Sequence, residues 1–289
     1  MSATSNACYF ESTDGLQLYY RDFGSDNAGT PIICLPGLTR NSRDFEDLAN
    51  YLSEDIGDAR RVITPDLRGR GFSDHDPEWR NYHPGTYVQD TWTLLDTLGI
   101  EKIIVIGTSL GGLCAMAMSA QHPGRLAGVV MNDIGPEIDP VGLARVQEYT
   151  GRVPPVASWD EAAEQARQIY GEWLPGLSDD DWRKMAWRAY RENEKGIPQL
   201  DIDSNIGEAV RNVGPQKGDP WALFDTLRET PVLLLRGLMS DILSEDIVDK
   251  MTARKPDLEV VRVADRGHVP LLDEPECLAA IESFLKRLP

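Results

Sequence analysis

Short apolar runs alternate along the chain with segments whose apolar residues have helical spacing. Eight runs have the composition of strands, at residues 8–12, 16–21, 31–35, 61–65, 102–107, 126–132, 231–237 and 258–263. From the third run on the apolar residues are nearly continuous, which is typical of strands buried on both faces of a parallel sheet. Intervening segments such as Tyr87–Leu98 place their apolar side chains on one helical face. We therefore predict an α/β fold with a mostly parallel eight-stranded sheet flanked by helices.

One long segment interrupts this alternation. About ninety residues between "VVMNDIGPE" and "TPVLLLRG" carry helix signals and no convincing buried strand. Ser158-Trp-Asp-Glu has the form of a capping box, and Ser178 opens a second amphipathic segment. We predict a core domain of residues 1–135 and 219–289, with residues 136–218 forming a helical cap, or lid, inserted between two strands of the sheet.

Tryptophans are concentrated in and beside this predicted cap. Five of the seven lie between Trp159 and Trp221. They form a small core of the cap, or some of them line a pocket between the cap and the sheet, and the two interpretations are compatible.

The segment "IGTSLGG" joins a predicted strand to a predicted helix. Ser109 lies at the turn, with Gly107 and Gly111 two residues away on either side. Such an elbow strains the backbone of its central residue and pushes that side chain outward, so the flanking residues must be very small. The start of the following helix also favours a developing negative charge. The G-x-S-x-G pattern alone is weak, but this strand and helix context favours a nucleophilic serine over a plain tight turn.

A serine hydroxyl needs a base to take its proton, usually a histidine oriented by a carboxylate. His268 directly follows the last predicted strand, at the carboxyl edge of the sheet where α/β sites assemble. His75 and His83 lie in a polar loop segment, and His122 lies a helix length away from Ser109. We predict that His268 is the base.

Two aspartates compete for the third position. Asp241 lies four residues beyond the run "PVLLLRG", and Asp133 directly follows "VVMN". We favour Asp241, because the chain order Ser, Asp, His then matches the usual arrangement of such sites. Asp133 is interpreted as ordering the entry into the insertion.

A tetrahedral intermediate also needs N–H donors. The amide of Leu110 follows the nucleophile directly and is the first candidate. The second candidate is the amide of Leu38 in "PGLTRN", where the alternative is a Pro-Gly turn without a catalytic role. Arg40 and Arg43 come just after it and either bind a substrate carboxylate or form a solvated face.

These segments together resemble the α/β-hydrolase fold superfamily over essentially the whole chain. "LPGLTRNSRDFEDLA" resembles its oxyanion loop, with Pro36 where histidine is commonest. "TPDLRGRGFSD" is similar to its Asp-x-Arg-Gly-x-Gly-x-Ser segment, "IGTSLGG" to its nucleophile elbow and "RGHVPLLDEPE" to its histidine loop. The resemblance implies a capped serine hydrolase that uses the triad Ser109, Asp241 and His268 and needs neither cofactor nor metal.

The serine at the elbow narrows the chemistry within that superfamily. Haloalkane dehalogenases and many epoxide hydrolases use aspartate there, and dienelactone hydrolases use cysteine. We predict a carboxylesterase-like enzyme that hydrolyses small to medium carboxylic esters or lactones through an acyl-enzyme. The alternative is a C–C bond hydrolase of diketone-type (meta-cleavage-like) substrates. Such enzymes usually have a glycine-rich oxyanion loop, and the segment "LPGLTRN" of this chain does not match it. A ligand receptor that keeps the hydrolase shape is disfavoured by the intact Ser, His and Asp set.

Composition limits the partners. A net charge of −18 and a pI of about 4.6 disfavour binding to nucleic acid or to an anionic membrane. The four cysteines are scattered, and Cys34 and Cys114 lie in apolar surroundings typical of buried thiols. We see neither a signal peptide nor an apolar run of the roughly 20 residues that span a bilayer. We therefore predict a cytoplasmic protein whose partner is a small-molecule ester or lactone. Whether the chain forms a homo-oligomer is left open.

Overall fold

The computed structural model describes residues 6–212 and 218–289. Residues 1–5 of the predicted core and residues 213–217 of the predicted cap therefore lie outside the described residues. The strands are β1 (Asn6–Glu11), β2 (Gln17–Phe23), β3 (Ile32–Leu35), β4 (Val62–Pro65), β5 (Ile103–Thr108), β6 (Leu126–Asn132), β7 (Tyr190–Glu192), β8 (Pro198–Leu200), β9 (Val232–Gly237) and β10 (Glu259–Val263).

Eight of these strands form one sheet in the order β1-β2-β4-β3-β5-β6-β9-β10. The β1–β2 and β2–β4 pairs are antiparallel, whereas the strands from β4 to β10 pair in parallel. The mostly parallel eight-stranded sheet predicted from the apolar runs is confirmed. Strands β7 and β8 form a separate antiparallel hairpin.

Helices lie between and after the strands along the chain. They are α1 (Glu46–Asn50), α2 (Pro84–Thr97), α3 (Leu110–Gln121), α4 (Pro140–Tyr149), α5 (Trp159–Tyr170), α6 (Asp179–Ala189), α7 (Asn205–Arg211), α8 (Pro220–Asp225), α9 (Glu245–Arg254) and α10 (Pro275–Leu285). Short 3-10 helices lie at Ser42–Phe45 and Trp79–Asn81, and a π-helical turn at Tyr51–Asp55. Across the described ranges, no helix combines the length and apolarity that crossing a membrane requires.

Alternate residues of the central strands face opposite sides of the sheet. On β5, Ile103 and Val105 pack in the cluster that includes α2 and α3, whereas Ile104 and Ile106 pack in the cluster that includes α1 and α10. Each such side chain contributes about 1.5–3 kcal/mol relative to an exposed one. Because both faces are covered, these strands need continuous apolar sequence rather than alternation. Cys34 on β3 is a buried free thiol, as predicted.

The chain between the neighbouring strands β6 and β9 leaves the sheet and forms α4 to α7 with the β7–β8 hairpin. Ser158 caps α5 by accepting from the Glu161 amide, and Ser178 caps α6 in a reciprocal capping box with Asp181. Both helix starts therefore lie where the sequence predicts them. These two helices pack around a small apolar cluster that includes Trp182.

This inserted segment rests on the loop that follows β4. The Gly71 amide donates to the Asp201 carbonyl at 3.1 Å, and the Asp203 amide donates to the Gly69 carbonyl at 2.7 Å. A buried ion cluster around Arg68, which belongs to the same loop, holds this loop in place.

Arg68 is 1% exposed and pairs with Asp90, Asp76 and Asp14. Burial disfavours its charge, but the hydrogen bonds from Arg68 to its carboxylates outweigh that effect and raise the pKa of the guanidinium. The hydrogen bond from Arg68 lowers the pKa of Asp14 to about 2. Charge pairing of this kind fixes the loop on which the inserted segment docks.

Candidate active site

Ser109 occupies a strained turn between β5 and α3. Its backbone angles are φ 52° and ψ −111°, outside the regions that a residue with a side chain favours. A Cβ on Gly107 would come within 2.4 Å of the Gly111 carbonyl carbon, and one on Gly111 within 2.1 Å of the Leu35 carbonyl oxygen. Only glycine fits at either position, so the tight packing of strand, turn and helix explains the spacing seen in the sequence.

The Ser109 side chain meets His268. The Oγ atom lies 2.9 Å from Nε2 of the ring, a hydrogen-bonding distance, and the His268 side chain is 8% exposed. Asn132 supports both partners, because its carbonyl accepts from the Ser109 amide at 3.0 Å and its side-chain amide donates to the Pro270 carbonyl at 2.9 Å. The histidine loop after β10 is thus fastened to the end of β6, beside the elbow.

Asp133, the first residue after β6, supplies the carboxylate that contacts the ring. Its Oδ2 atom lies 2.8 Å from His268 Nδ1 and accepts from Ser240 Oγ at 2.6 Å, while Oδ1 accepts from the Gly237 amide at 2.9 Å. The Asp133 side chain has no exposed surface. A carboxylate only accepts hydrogen bonds, so this contact places the ring proton on Nδ1 and leaves Nε2 to accept from the Ser109 hydroxyl.

The prediction that Asp241 orients the histidine is wrong. The Asp241 carboxylate forms a two-bond ion pair with Arg145 of α4, at 2.6 and 2.8 Å. The loop after β9 turns at Ser240, which donates its hydroxyl to Asp133, and the next residue is directed toward the inserted segment. Asp133, which the sequence suggested only orders the entry into that segment, is the carboxylate that contacts His268.

The two backbone amides proposed as oxyanion donors belong to Leu38, which lines the same pocket as Ser109, and to Leu110, which directly follows Ser109. Within residues 6–212 and 218–289, neither the Leu38 amide nor the Leu110 amide donates to a protein acceptor. Arg70, which is fully buried, holds the Leu38 carbonyl with Nε at 3.0 Å and Nη2 at 2.8 Å. This support was missed in the sequence, although Arg70 stands in the "DLRGRGFSD" motif that the sequence analysis singled out.

A pocket opens over Ser109 between the sheet edge and the inserted segment. It holds about 800 Å³ of empty space, counted to its open mouth. Its apolar wall comes from both parts of the chain and includes Leu38, Phe45, Val146, Leu174, Met185 and Leu271. Among the described lining residues there is no tryptophan, so the prediction that tryptophans line a pocket between the cap and the sheet does not hold for this pocket. Trp182 lies in the core of the inserted segment, and Trp187 is 45% exposed.

The two arginines after the predicted oxyanion loop have different surroundings. Arg40 lines the pocket and forms a two-bond ion pair with Asp44, at 2.7 and 2.5 Å. Burial disfavours its charge, but attraction to Asp44 raises the pKa of Arg40. Arg43 instead donates to the carbonyls of Trp187 and Tyr190 at 2.8 and 3.0 Å, and so fastens the inserted segment to the core. It is neither a free anion site nor a solvated face.

The remaining histidines lie elsewhere. His83 caps α2 through its ring nitrogen, and His122 ends α3 with its ring packed edge-on against Trp92. In the described part of the chain, no three His, Cys, Asp or Glu side chains are grouped so that they could hold a metal ion.

Known proteins resemble this chain in fold and in sequence over nearly its whole length. The model of the α/β-hydrolase fold family matches residues 30–275. A crystal structure of an α/β hydrolase from Novosphingobium aromaticivorans superposes with a TM-score of 0.92 at 42% identity, covering 99% of this chain and 100% of that one.

Two curated proteins are similar at lower identity. A 3-hydroxybutyrate-oligomer hydrolase from Cupriavidus necator is 29% identical, covering 93% of this chain and 92% of its own. A 2-(acetamidomethylene)succinate hydrolase from Mesorhizobium japonicum is 28% identical over the same shares, 93% and 92%. With the family model matched across most of its length, this chain belongs to the α/β-hydrolase fold family and is a hydrolase of that fold.

Proposed function

We propose that this protein is a cofactor-independent serine hydrolase that cleaves small to medium carboxylic esters or lactones. The observation that supports it most is the hydrogen-bonded chain Ser109–His268–Asp133, with links of 2.9 and 2.8 Å. A buried carboxylate, an imidazole and a serine hydroxyl, hydrogen-bonded in this order, are the parts that acyl transfer to serine needs. Asp133 therefore takes the place in the proposed triad that the sequence analysis gave to Asp241.

In the proposed reaction Ser109 Oγ attacks the carbonyl carbon while its proton moves to His268 Nε2. The negative charge of the tetrahedral intermediate is stabilised by the N–H groups of Leu38 and Leu110, which have no protein acceptor within the described residues. The intermediate collapses as His268 gives the proton to the leaving alcohol, and an acyl-enzyme remains. A water molecule, deprotonated by the same ring, then releases the acid and restores Ser109.

The pocket and one of the relatives support an ester of modest size. The largely apolar wall beside Ser109 suits a small or medium acyl or alcohol group. The name of the Cupriavidus necator relative specifies an oligomer of 3-hydroxybutyrate, a hydroxy acid whose units join through ester bonds. The substrate named for the Mesorhizobium japonicum relative is a succinate. Both named substrates carry carboxylate groups.

The test combines a covalent probe with a substrate series. The wild-type protein and Ser109→Ala are treated with a fluorophosphonate, and both are assayed with p-nitrophenyl esters of increasing chain length and with short lactones. We expect labelling of the wild type only, and a loss of turnover on the order of 10⁶-fold in the variant with an unchanged circular dichroism spectrum. Equal turnover by the two proteins would refute the proposal.

The same assay addresses the C–C hydrolase that the sequence left as the alternative. A diketone of the meta-cleavage type is included beside the esters. Preferential cleavage of the diketone by the wild type, at a higher kcat/KM than every ester and lactone, would replace ester hydrolysis with C–C hydrolysis.

A further inference from the structure

Arg188, near the end of α6, contributes a positive charge to the wall of the pocket that holds Ser109. Its side chain is only 6% exposed, so the charge is placed inside the protein rather than in solvent. Its backbone carbonyl accepts from the Asn41 side chain at 2.9 Å, which fixes this end of the helix against the core. The position of the guanidinium is therefore set by packing and not by a mobile surface segment.

The hydrogen bonds of this guanidinium are incomplete. Nη2 donates to Asp47 at 2.5 Å. Nε is buried without any acceptor, and Nη1 donates to no protein atom within the described residues. A buried charged donor without a partner is unfavourable, and Nη1, which is not sealed from solvent, is the nitrogen of this guanidinium that a ligand in the pocket can reach.

The neighbouring acidic groups do not fill these donors. Asp47 also accepts from Lys184 at 2.5 Å, so one carboxylate faces two cations. Asp273 lies within the field of Arg188 but forms no hydrogen bond with it in the described ranges. Arg40 on the same pocket differs, because Asp44 binds its guanidinium through two bonds. Of the two arginines of this pocket, Arg188 is the one whose Nε is buried without an acceptor in the described part of the chain.

We propose that Arg188 binds a free carboxylate of the substrate, a role that rests on the proposed ester hydrolysis at Ser109. The substrate class is then an ester whose acyl or alcohol part carries a carboxylate, such as an ester of a short hydroxy acid or a hemiester of a dicarboxylic acid. The guanidinium forms a charge-assisted hydrogen bond with that carboxylate. The apolar wall holds the rest of the molecule over the serine.

The test uses pairs of esters that differ in one charge. The p-nitrophenyl hemiester of glutaric acid is compared with p-nitrophenyl pentanoate, and O-acetyl-3-hydroxybutyrate with its primary amide, O-acetyl-3-hydroxybutyramide. The readout is the ratio of kcat/KM for the charged ester to that for its neutral counterpart. The variants are Arg188→Met and, as a matched control on the same helix, Arg183→Met, because Arg183 is 59% exposed and does not line the pocket.

We expect the ratio of at least one pair to fall by about 10- to 100-fold in Arg188→Met and to stay within about twofold in Arg183→Met. A purely structural arginine would lower both members of a pair alike, so unchanged ratios for both pairs would overturn the proposal. If Arg188→Met does not fold, Arg188→Gln carries the test, since its amide keeps a polar side chain at this position without the charge.

A binding measurement separates this proposal from the proposed reaction. Ser109→Ala and the double variant Ser109→Ala/Arg188→Met are titrated calorimetrically with glutarate and with neutral glutaramide. We expect glutarate to bind Ser109→Ala at least tenfold more tightly than the double variant, whether or not the wild type hydrolyses esters. Equal glutarate affinities would refute the anion site, while absent fluorophosphonate labelling of the wild type would refute only the serine chemistry.

Discussion

Replacing Asp133 by asparagine tests the assignment of the acid. The change keeps the size of the side chain and suits the positive backbone φ of 54° at this position, which asparagine tolerates nearly as well as aspartate. The Oδ1 atom can still accept from the Gly237 amide. The amide nitrogen then occupies the Oδ2 position, 2.8 Å from His268 Nδ1.

The expected loss of kcat follows from which ring nitrogen of His268 carries the proton. An amide nitrogen facing Nδ1 donates rather than accepts, so the imidazole must carry its proton on Nε2. Nε2 is the atom that accepts from Ser109 at 2.9 Å, and a protonated Nε2 cannot take the serine proton. A wrong tautomer of this kind lowers kcat on the order of 10⁴-fold in a serine protease with the same triad logic. Each factor of ten in rate corresponds to about 1.36 kcal/mol. The transition state of Asp133→Asn is therefore stabilised by about 5.5 kcal/mol less than that of the wild type.

The assay is p-nitrophenyl ester hydrolysis, with Asp241→Asn as the matched control. Asp241 has the same chemistry and lies at the same edge of the sheet, but its carboxylate pairs with Arg145. We expect Asp241→Asn to keep kcat within about tenfold of the wild type. Both variants are checked by circular dichroism. The reasoning fails if Asp241→Asn loses activity by 10³-fold or more while Asp133→Asn remains within tenfold of the wild type.

Three further outcomes concern stability. Ser109→Gly should melt about 2–4 °C higher than Ser109→Ala, because glycine relieves the strain at φ 52° that alanine retains; calorimetry showing the reverse order would contradict a strained elbow. Gly111→Ala should lose about 3 kcal/mol or more of unfolding free energy in urea, since its Cβ would lie 2.1 Å from the Leu35 carbonyl oxygen. Gly57→Ala is the control and should change little, because a Cβ there meets nothing within 4 Å. Similar losses in the two variants would count against this packing. Asp14→Asn removes a carboxylate whose pKa is depressed to about 2 in the folded state. The stabilisation that this carboxylate gives the wild type is present above pH 4 and is lost as the pH falls toward 2. Asp14 is 44% exposed and the effect is at most about 1 kcal/mol, so the wild type and Asp14→Asn should differ in melting temperature at pH 7 and converge near pH 2.5; a gap that widens in acid would contradict the sign.

The sheet and the elbow could be predicted because they depend on local sequence. Strands buried on both faces require uninterrupted apolar residues, and the turn at Ser109 requires glycine at two positions for contacts below 2.5 Å. Both requirements leave a direct trace in the order of residues. His268 was found for a related reason, since it follows a strand whose carboxyl end faces the site.

The acid could not be chosen in this way. Asp133 and Asp241 both lie after Ser109 and before His268, so the chain order that favoured Asp241 is satisfied equally by Asp133. Both also follow parallel strands that end at the same edge, on the neighbouring strands β6 and β9. The difference lies in the path of the loop after β9, which brings Ser240 rather than Asp241 to the carboxylate of Asp133. The positive backbone φ of Asp133 is a property of the fold that a single sequence does not reveal.

The wall of the pocket was also beyond the sequence. Arg188 stands in a helix whose other arginine, Arg183, is exposed, and their helical positions alone do not say which one enters the pocket. The contacts between α6 and the core decide it, and these connect residues about 147 positions apart, such as Asn41 and Arg188.

The most direct test of the account is to trap the acyl group. The protein is mixed with p-nitrophenyl pivalate, whose hindered acyl group slows deacylation, quenched in acid within the first turnover, digested and analysed by mass spectrometry. We expect a pivaloyl group on the peptide that contains Ser109 and on no other, with Asp133→Asn accumulating it far more slowly. Release of p-nitrophenol with Ser109 unmodified throughout, or with the acyl group on another residue, would contradict it.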